Sequence, residues 1–141
     1  MSKKPLILGI ETSCDETAAS IITENELGNP VVLSNIVSSQ VEVHKEFGGV
    51  VPELAARSQI EKIDWIVQKA IDDSGKKINE IDAVASTAGP GLIVCLSVGL
   101  SFGKAFAASI DKPFIAVNHL EGHALSPVSY THLTLPTILL V

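Results

Sequence analysis

Two histidines four positions apart, His119 and His123, have the residue type and spacing that point most directly to chemistry. Residues four apart lie on one face of a helix, so both imidazole rings can reach a single metal ion. Neutral imidazole is a good ligand for zinc, iron and nickel. Glu121 lies midway between the histidines, whereas the metalloprotease helices place a glutamate directly beside one of them. The spacing allows a metal site that needs a further ligand, but for an arbitrary pair at this spacing two surface histidines are the favoured interpretation.

A polar segment from Glu11 to Thr17 separates two apolar runs and forms the tip of a predicted hairpin. It carries hydroxyl and carboxyl groups at Thr12, Ser13, Asp15 and Glu16. Backbone N–H groups in such a loop can bind phosphate, and its carboxylates can hold a cation. Cys14 has no histidine beside it in the sequence, so a structural thiol is the default interpretation. From composition alone, an ordinary solvated turn is the favoured interpretation of the whole segment.

Two glycine-containing junctions are further candidates. The segment Thr87-Ala88-Gly89-Pro90-Gly91 lies between a predicted strand and a predicted helix, where backbone N–H groups can face an anion. It matches neither the Walker loop nor the GxGxxG fingerprint, so a structural turn is an equal alternative. His44 precedes Gly48 and Gly49, which permit unusual backbone geometry near a ligand, and a flexible loop is the alternative there.

The elements that must position these residues follow from apolar runs and turn residues. Strands are predicted over Leu6–Ile10, Ala18–Ile22, Val31–Leu33, Ile81–Ser86 and Phe114–Val117. Helices are predicted from Pro52 to a cap at Gly75, over Ile93–Ser109, and from His119 onward behind a cap at Asn118. Strands followed by alternating helix and strand predict a mixed α/β sheet with flanking helices.

Composition narrows the class of protein. The 141 residues are 46% hydrophobic and 18% charged, which is typical of a globular domain and excludes a disordered chain. A net charge of −6 disfavours a stand-alone nucleic-acid binder. Two cysteines exclude a disulfide framework, and the first apolar run is too short for a secretory signal, so we expect a cytoplasmic protein. The apolar stretch Leu92–Ile110 contains Lys104 and is predicted to be a buried helix rather than a membrane span.

Four motifs occur in one order: Leu8–Thr17, Gly48–Ala55, Thr87–Leu92 and His119–His123. Together they closely resemble the universal tRNA threonylcarbamoyladenosine transferase family, once described as O-sialoglycoprotein endopeptidases. The resemblance runs from about Leu6 to Ser126. It implies the first lobe of an actin-like, sugar-kinase-like ATPase fold. It also implies transfer of threonylcarbamoyl from threonylcarbamoyl-adenylate to the adenosine beside the anticodon of certain tRNAs, with accessory proteins of the modification complex as partners and no membrane.

The resemblance also implies roles for individual residues. His119 and His123 match the family's ligands for one divalent metal ion, iron or zinc, whose third protein ligand is expected from a second lobe. Asp15 and Glu16 match an acidic pair near the active site, and we expect them to position substrate or transfer protons. We expect the remaining candidates to contact substrate: Thr12, Ser13, His44, Gly89, Pro90 and Gly91.

The end of the chain departs from the family pattern. Members of the family are much longer, and their second lobe carries a nucleotide loop. We therefore predict that residues 1–126 are an N-terminal lobe that is inactive alone. Residues 127–141 look like translated sequencing-adapter DNA, so we predict a foreign or disordered tail.

Three other functions stay open on the sequence. A non-catalytic scaffold paralogue of the same complex would lack the two-histidine motif. A small-molecule kinase of the same superfold would need a full adenosine pocket and has no reason to keep those histidines. A metalloprotease, as in the older description of the family, would need a glutamate placed differently from Glu121.

Overall fold

Five strands form one sheet in the computed structural model, which describes residues 4–39 and 48–121. The strands are β1 (Ile7–Glu11), β2 (Thr17–Glu24), β3 (Pro30–Ser38), β4 (Ala83–Gly89) and β5 (Phe114–Asn118). The helices are α1 (Pro52–Ser74) and α2 (Ile93–Ser109), with a 3-10 turn at Ile78–Glu80. The spatial order of the strands is β3-β2-β1-β4-β5.

The sheet changes direction at β1. This strand pairs antiparallel with β2 and parallel with β4, while β2–β3 is antiparallel and β4–β5 is parallel. Leu8 and Ile10 alternate with less buried neighbours and point into the core, as expected of a strand with one covered face. The carboxyl ends of β1, β4 and β5 consequently meet at one edge of the sheet.

Helix α1 has the sequence signals expected at both ends. It begins at Pro52, where a missing N–H is tolerated, and Gly75 ends it in the left-handed conformation with φ 74°. The Gly75 N–H donates to the Asp72 carbonyl at 3.2 Å. The apolar face of α1 is buried in the core at Ile63, Ile66, Val67, Ala70 and Ile71.

Helix α2 lies unusually close to β1 and β4 because its inner face carries glycines. A Cβ at Gly99 would lie 2.5 Å from Thr12 Oγ1, and one at Gly103 would overlap the Ser86 hydroxyl. The Gly99 carbonyl accepts a hydrogen bond from Ser86 Oγ at 3.0 Å. In the described ranges, no helix is both long and apolar enough to cross a bilayer.

The predicted elements are confirmed, with two differences in extent. Strand β3 extends to Ser38, well beyond the predicted Leu33, because its polar second half is paired along β2. Strand β4 begins at Ala83 and continues to Gly89, where a tight turn was expected. Its last residues pair with β5, Thr87 opposite Val117, and this long-range pairing overrides the local turn signal.

Two further predictions concern the start of the last helix and the tail. The Asn118 side chain accepts hydrogen bonds from the N–H groups of Leu120 and Glu121, so it caps a helical segment that begins at His119. Residues 122–141 lie outside the described residues. The boundary at residue 126 and the nature of residues 127–141 stay predictions.

Replacing Gly99 with alanine tests the close approach of α2. We expect the overlap with Thr12 to lower the free energy of unfolding by about 1–3 kcal/mol, although alanine is the better helix former. Ser101→Ala, at an exposed position of the same helix, is the control and should not destabilise the chain. Urea denaturation measures both variants, and a Gly99→Ala chain of unchanged stability would contradict the packing.

Candidate functional site

The carboxyl edge of the sheet brings together residues from three strands. Glu11 ends β1, Thr87 lies near the end of β4, and His119 follows directly after β5. In α/β proteins this edge is where ligands are usually bound. The topology therefore places an acid, a hydroxyl and an imidazole at the position where chemistry is expected.

Glu11 is the centre of a hydrogen-bond cluster. Thr87 Oγ1 donates to Glu11 Oε2 at 2.7 Å, and the Ser13 backbone N–H donates to Glu11 Oε1. His119 Nδ1 lies 3.1 Å from Glu11 Oε2 and 3.2 Å from Ser13 Oγ. The side chains of His119 and Glu11 are 26% and 37% exposed, so the cluster is partly shielded but open to a ligand.

The electrostatics of the cluster keep Glu11 charged. Burial by itself raises the pKa of Glu11, but hydrogen bonds from Ser13, Thr87 and His119 outweigh burial, and the pKa lies below its ordinary value. At neutral pH the group is a carboxylate, which can accept hydrogen bonds but cannot donate them.

The loop between β1 and β2 is held from both helices. Thr12 Oγ1 donates to the Cys95 carbonyl at 2.7 Å and accepts from the Gly99 N–H at 3.0 Å, which ties the loop to α2. The fully buried Gln59 of α1 donates through Nε2 to the carbonyl groups of Cys14 at 2.9 Å and Glu16 at 3.0 Å. These contacts fix the loop backbone without using the loop's acidic side chains.

An open cavity of about 520 Å³ lies beside the cluster. Its lining includes Glu11, Ser13, Asp15, Glu16, Thr87 and His119. The wall of the cavity thus combines carboxylates with an imidazole. Such a combination can bind a cation, orient a polar substrate and accept a proton.

A match to a known protein family accompanies this geometry. The sequence profile described as "TsaD: tRNA N6-adenosine threonylcarbamoyltransferase" matches residues 31–141. The chain belongs to this family.

Two threonylcarbamoyltransferases illustrate the relationship. The tRNA N6-adenosine threonylcarbamoyltransferase of Pelagibacter ubique (strain HTCC1062) is 73% identical over 141 residues, which is 100% of this chain and 40% of that protein. The protein of the same name from Brucella abortus (strain 2308) is 54% identical over 135 residues, 96% of this chain and 38% of that protein. The chain thus spans about 40% of the length of the relatives it matches.

Solved structures confirm the fold prediction. YeaZ from Pseudomonas aeruginosa superposes with a TM-score of 0.62 at 18% identity, over 89% of this chain and 50% of that one. Thermus thermophilus RuvC superposes with a TM-score of 0.54 at 14% identity, over 90% of this chain and 72% of that one. The mixed sheet with flanking helices has the actin-like, ribonuclease H-like fold.

The predicted site residues outside the Gly89–Gly91 segment fall into three groups. Ser13, Asp15, Glu16 and His119 line one cavity. Thr12 is buried and its hydroxyl faces α2, so its substrate contact stays a prediction. His44 and His123 lie outside the described residues.

The Gly89–Gly91 segment reaches the site through backbone contacts. The Leu92 N–H donates to the Ser13 carbonyl at 2.8 Å, and a Cβ at Gly91 would lie 2.7 Å from that same oxygen. Gly91 thus permits α2 to begin against the loop. The assignment of Gly89, Pro90 and Gly91 to substrate binding stays a prediction.

Cys14 is exposed and lines the cavity, and its interpretation as a structural thiol stays a prediction. Partial burial and the adjacent Asp15 charge raise the pKa of the Cys14 thiol. A thiol with a raised pKa is protonated at neutral pH and is a poor nucleophile.

Sequence reasoning did not assign a role to Glu11 or to Gln59. Glu11 directly follows a buried strand, and an acid at the carboxyl end of a central strand is a usable signal for a site. Gln59 lies on the same helix face as Ile63 and Ile66. A polar residue on such an apolar face indicates a side chain that is buried and hydrogen-bonded.

The variant Gln59→Met tests how the loop is held. Methionine has similar length but no donor, so we expect the free energy of unfolding to fall by about 1–3 kcal/mol and amide exchange in residues 12–16 to accelerate. Gln68→Met, an exposed change on the same helix, is the control. Hydrogen exchange in residues 12–16 that is unchanged by Gln59→Met would contradict the role given to Gln59.

Proposed function

We propose that this chain is the N-terminal part of a tRNA N6-adenosine threonylcarbamoyltransferase and carries one half of its active site. The complete enzyme would transfer threonylcarbamoyl from threonylcarbamoyl-adenylate to the adenosine beside the anticodon. The observation that carries the proposal is the convergence of Asp15, Glu16, Ser13 and His119 on one cavity in a chain of this family. The names of the Pelagibacter and Brucella relatives support the same reaction.

The partners follow from the reaction. The substrates would be tRNA and threonylcarbamoyl-adenylate, and accessory proteins would supply the adenylate or assist transfer. The chain spans about 40% of its relatives, so the remaining part of the enzyme would close the cavity from the other side. Basic surface for tRNA would come from that part or from partners, because this segment has a net charge of −6.

One divalent metal ion, iron or zinc, would be held by His119 and His123 together with a ligand from the rest of the enzyme. Among the described residues no group of three His, Cys, Asp or Glu side chains could hold a metal ion. His119 itself fits the role, since it lines the cavity with Nδ1 against the Glu11 carboxylate, a common environment for a metal-bound imidazole. When bound, the ion would polarise the carbamoyl oxygen.

The residues of this chain would orient the substrate and accept a proton. The attacking adenosine amine must lose a proton as its bond to the carbonyl carbon forms, while the bond from that carbon to the adenylate phosphate oxygen breaks and AMP leaves. Asp15 and Glu16 supply carboxylates at the cavity that can accept that proton or fix the threonyl group. Ser13 would contribute a hydroxyl at the same wall.

Single substitutions in the complete enzyme test the two roles separately. His119→Ala and His123→Ala should each lower the bound metal from about one ion per chain to a small fraction, because each removes one of very few ligands. Glu121→Gln is the control, since this exposed side chain is not proposed as a ligand. Elemental analysis of the purified proteins measures the outcome, and unchanged metal in both histidine variants would remove the assignment.

Asp15→Asn and Glu16→Gln test the acidic pair. If either carboxylate transfers the proton, its loss should lower the rate of transfer to tRNA by about 10²–10⁴-fold while the metal content is kept. Transfer of labelled threonylcarbamoyl to tRNA measures the rate. Unchanged rates in both variants would exclude both residues from the reaction.

A further inference from the structure

Glu11 has hydrogen-bond partners on three sides among the described residues, and the proposed reaction does not yet use it. Its Oε2 accepts from Thr87 at 2.7 Å and lies 3.1 Å from His119 Nδ1, and its Oε1 accepts from the Ser13 N–H. A carboxylate with three neighbours at the wall of a cavity is better suited to orienting one of them than to binding substrate directly.

We propose that Glu11 is a positioning residue that holds the proton of His119 on Nδ1 and thereby leaves the Nε2 lone pair for a metal ion. This inference rests on the metal site of the proposed function. A histidine ligand commonly donates its other ring N–H to a carboxylate, which fixes both the tautomer and the ring orientation. The Glu11–His119 contact has that arrangement.

Ser13 is the competing partner for the same nitrogen. Its hydroxyl lies 3.2 Å from His119 Nδ1 and can either donate or accept, so a serine alone would not set the tautomer. If Ser13 donated to Nδ1, the ring proton would be on Nε2 and that nitrogen could not bind a metal. The Glu11 carboxylate can only accept, so it forces the proton onto Nδ1 and makes the Ser13 hydroxyl an acceptor there as well.

The orientation of Glu11 does not depend on His119. Strand β1 is paired on both sides, Thr87 approaches from β4, and Ser13 approaches from the loop that Gln59 and Thr12 hold. The carboxylate is therefore held by contacts to β4 and to the loop as well as by its contact to His119. Such a preformed acceptor costs no reorganisation when a metal ion binds.

The tautomer can be measured without any metal. Nitrogen NMR of the 141-residue chain, labelled at its four histidines and stripped of metal at alkaline pH, distinguishes an Nδ1–H ring from an Nε2–H ring. His119→Ala assigns the signal by its loss. We expect the Nδ1–H form of His119 to predominate in the unsubstituted chain and in Ser13→Ala. In Glu11→Gln we expect it no longer to predominate, because the glutamine amide can donate to Nδ1 as well as accept from it.

Metal affinity in the complete enzyme gives the second measurement. Zinc binding should weaken about 10–100-fold in Glu11→Gln, the range typical for loss of such a partner. Glu16→Gln is the matched control, since it removes the same charge from the same cavity without a contact to His119 among the described residues and should keep both affinity and tautomer. Thr87→Val is a second variant that keeps the carboxylate but loosens it, and it should weaken zinc binding less than Glu11→Gln.

The outcomes separate this inference from the function on which it rests. If the unsubstituted enzyme binds no zinc through His119, the proposed metal site is wrong. The tautomer measured by NMR still tests whether Glu11 holds the proton on Nδ1. An Nε2–H ring in the unsubstituted chain, or a Glu11→Gln variant with unchanged tautomer, would overturn the inference. If Glu11→Gln does not fold, equal zinc affinity in Thr87→Val and the unsubstituted enzyme would overturn it.

Discussion

The pairing of β1 with an antiparallel strand on one side and a parallel strand on the other is the constraint on which the site depends. The antiparallel side requires a short loop back to β2, and that loop carries the acidic residues. The parallel side aligns the carboxyl ends of β1 and β4, and β5 continues the alignment. Because Glu11 ends β1, it lies where the loop, Thr87 and His119 come within hydrogen-bonding distance.

The loop would be poorly defined without the two helices that hold it. Gln59 binds its carbonyl groups from α1, and Thr12 binds the backbone of α2, which Gly99 allows to approach. Both buried polar side chains are used to fix backbone rather than to contact ligand. The acidic side chains of Asp15 and Glu16 line the cavity. The groups that hold the loop in place are therefore different from the carboxylates that could react.

Sequence reasoning predicted the elements well because their signals are local. Pro52 and Gly75 mark the ends of α1, and Asn118 caps the segment that begins at His119. Sequence reasoning misplaced the ends of strands whose extent depends on pairing. The last residues of β4 and the polar half of β3 adopt strand conformation because neighbouring strands continue beside them.

The candidate site was only partly predictable for the same reason. Type, spacing and family resemblance predict Ser13, Asp15, Glu16 and His119 as site residues, and all four line one cavity. The contact between Glu11 and His119 joins residues 108 positions apart, and no local pattern encodes it. The contact follows from the order of the strands in the sheet, which brings the ends of β1 and β5 to the same edge.

The most direct test of this account is anomalous X-ray diffraction from crystals of the complete enzyme, collected at the absorption edge of its bound metal. We expect a single peak about 2.0–2.1 Å from His119 Nε2, the usual distance for a zinc–imidazole bond, with Glu11 on the opposite ring nitrogen. A peak bound through Nδ1, or one remote from His119, would contradict it.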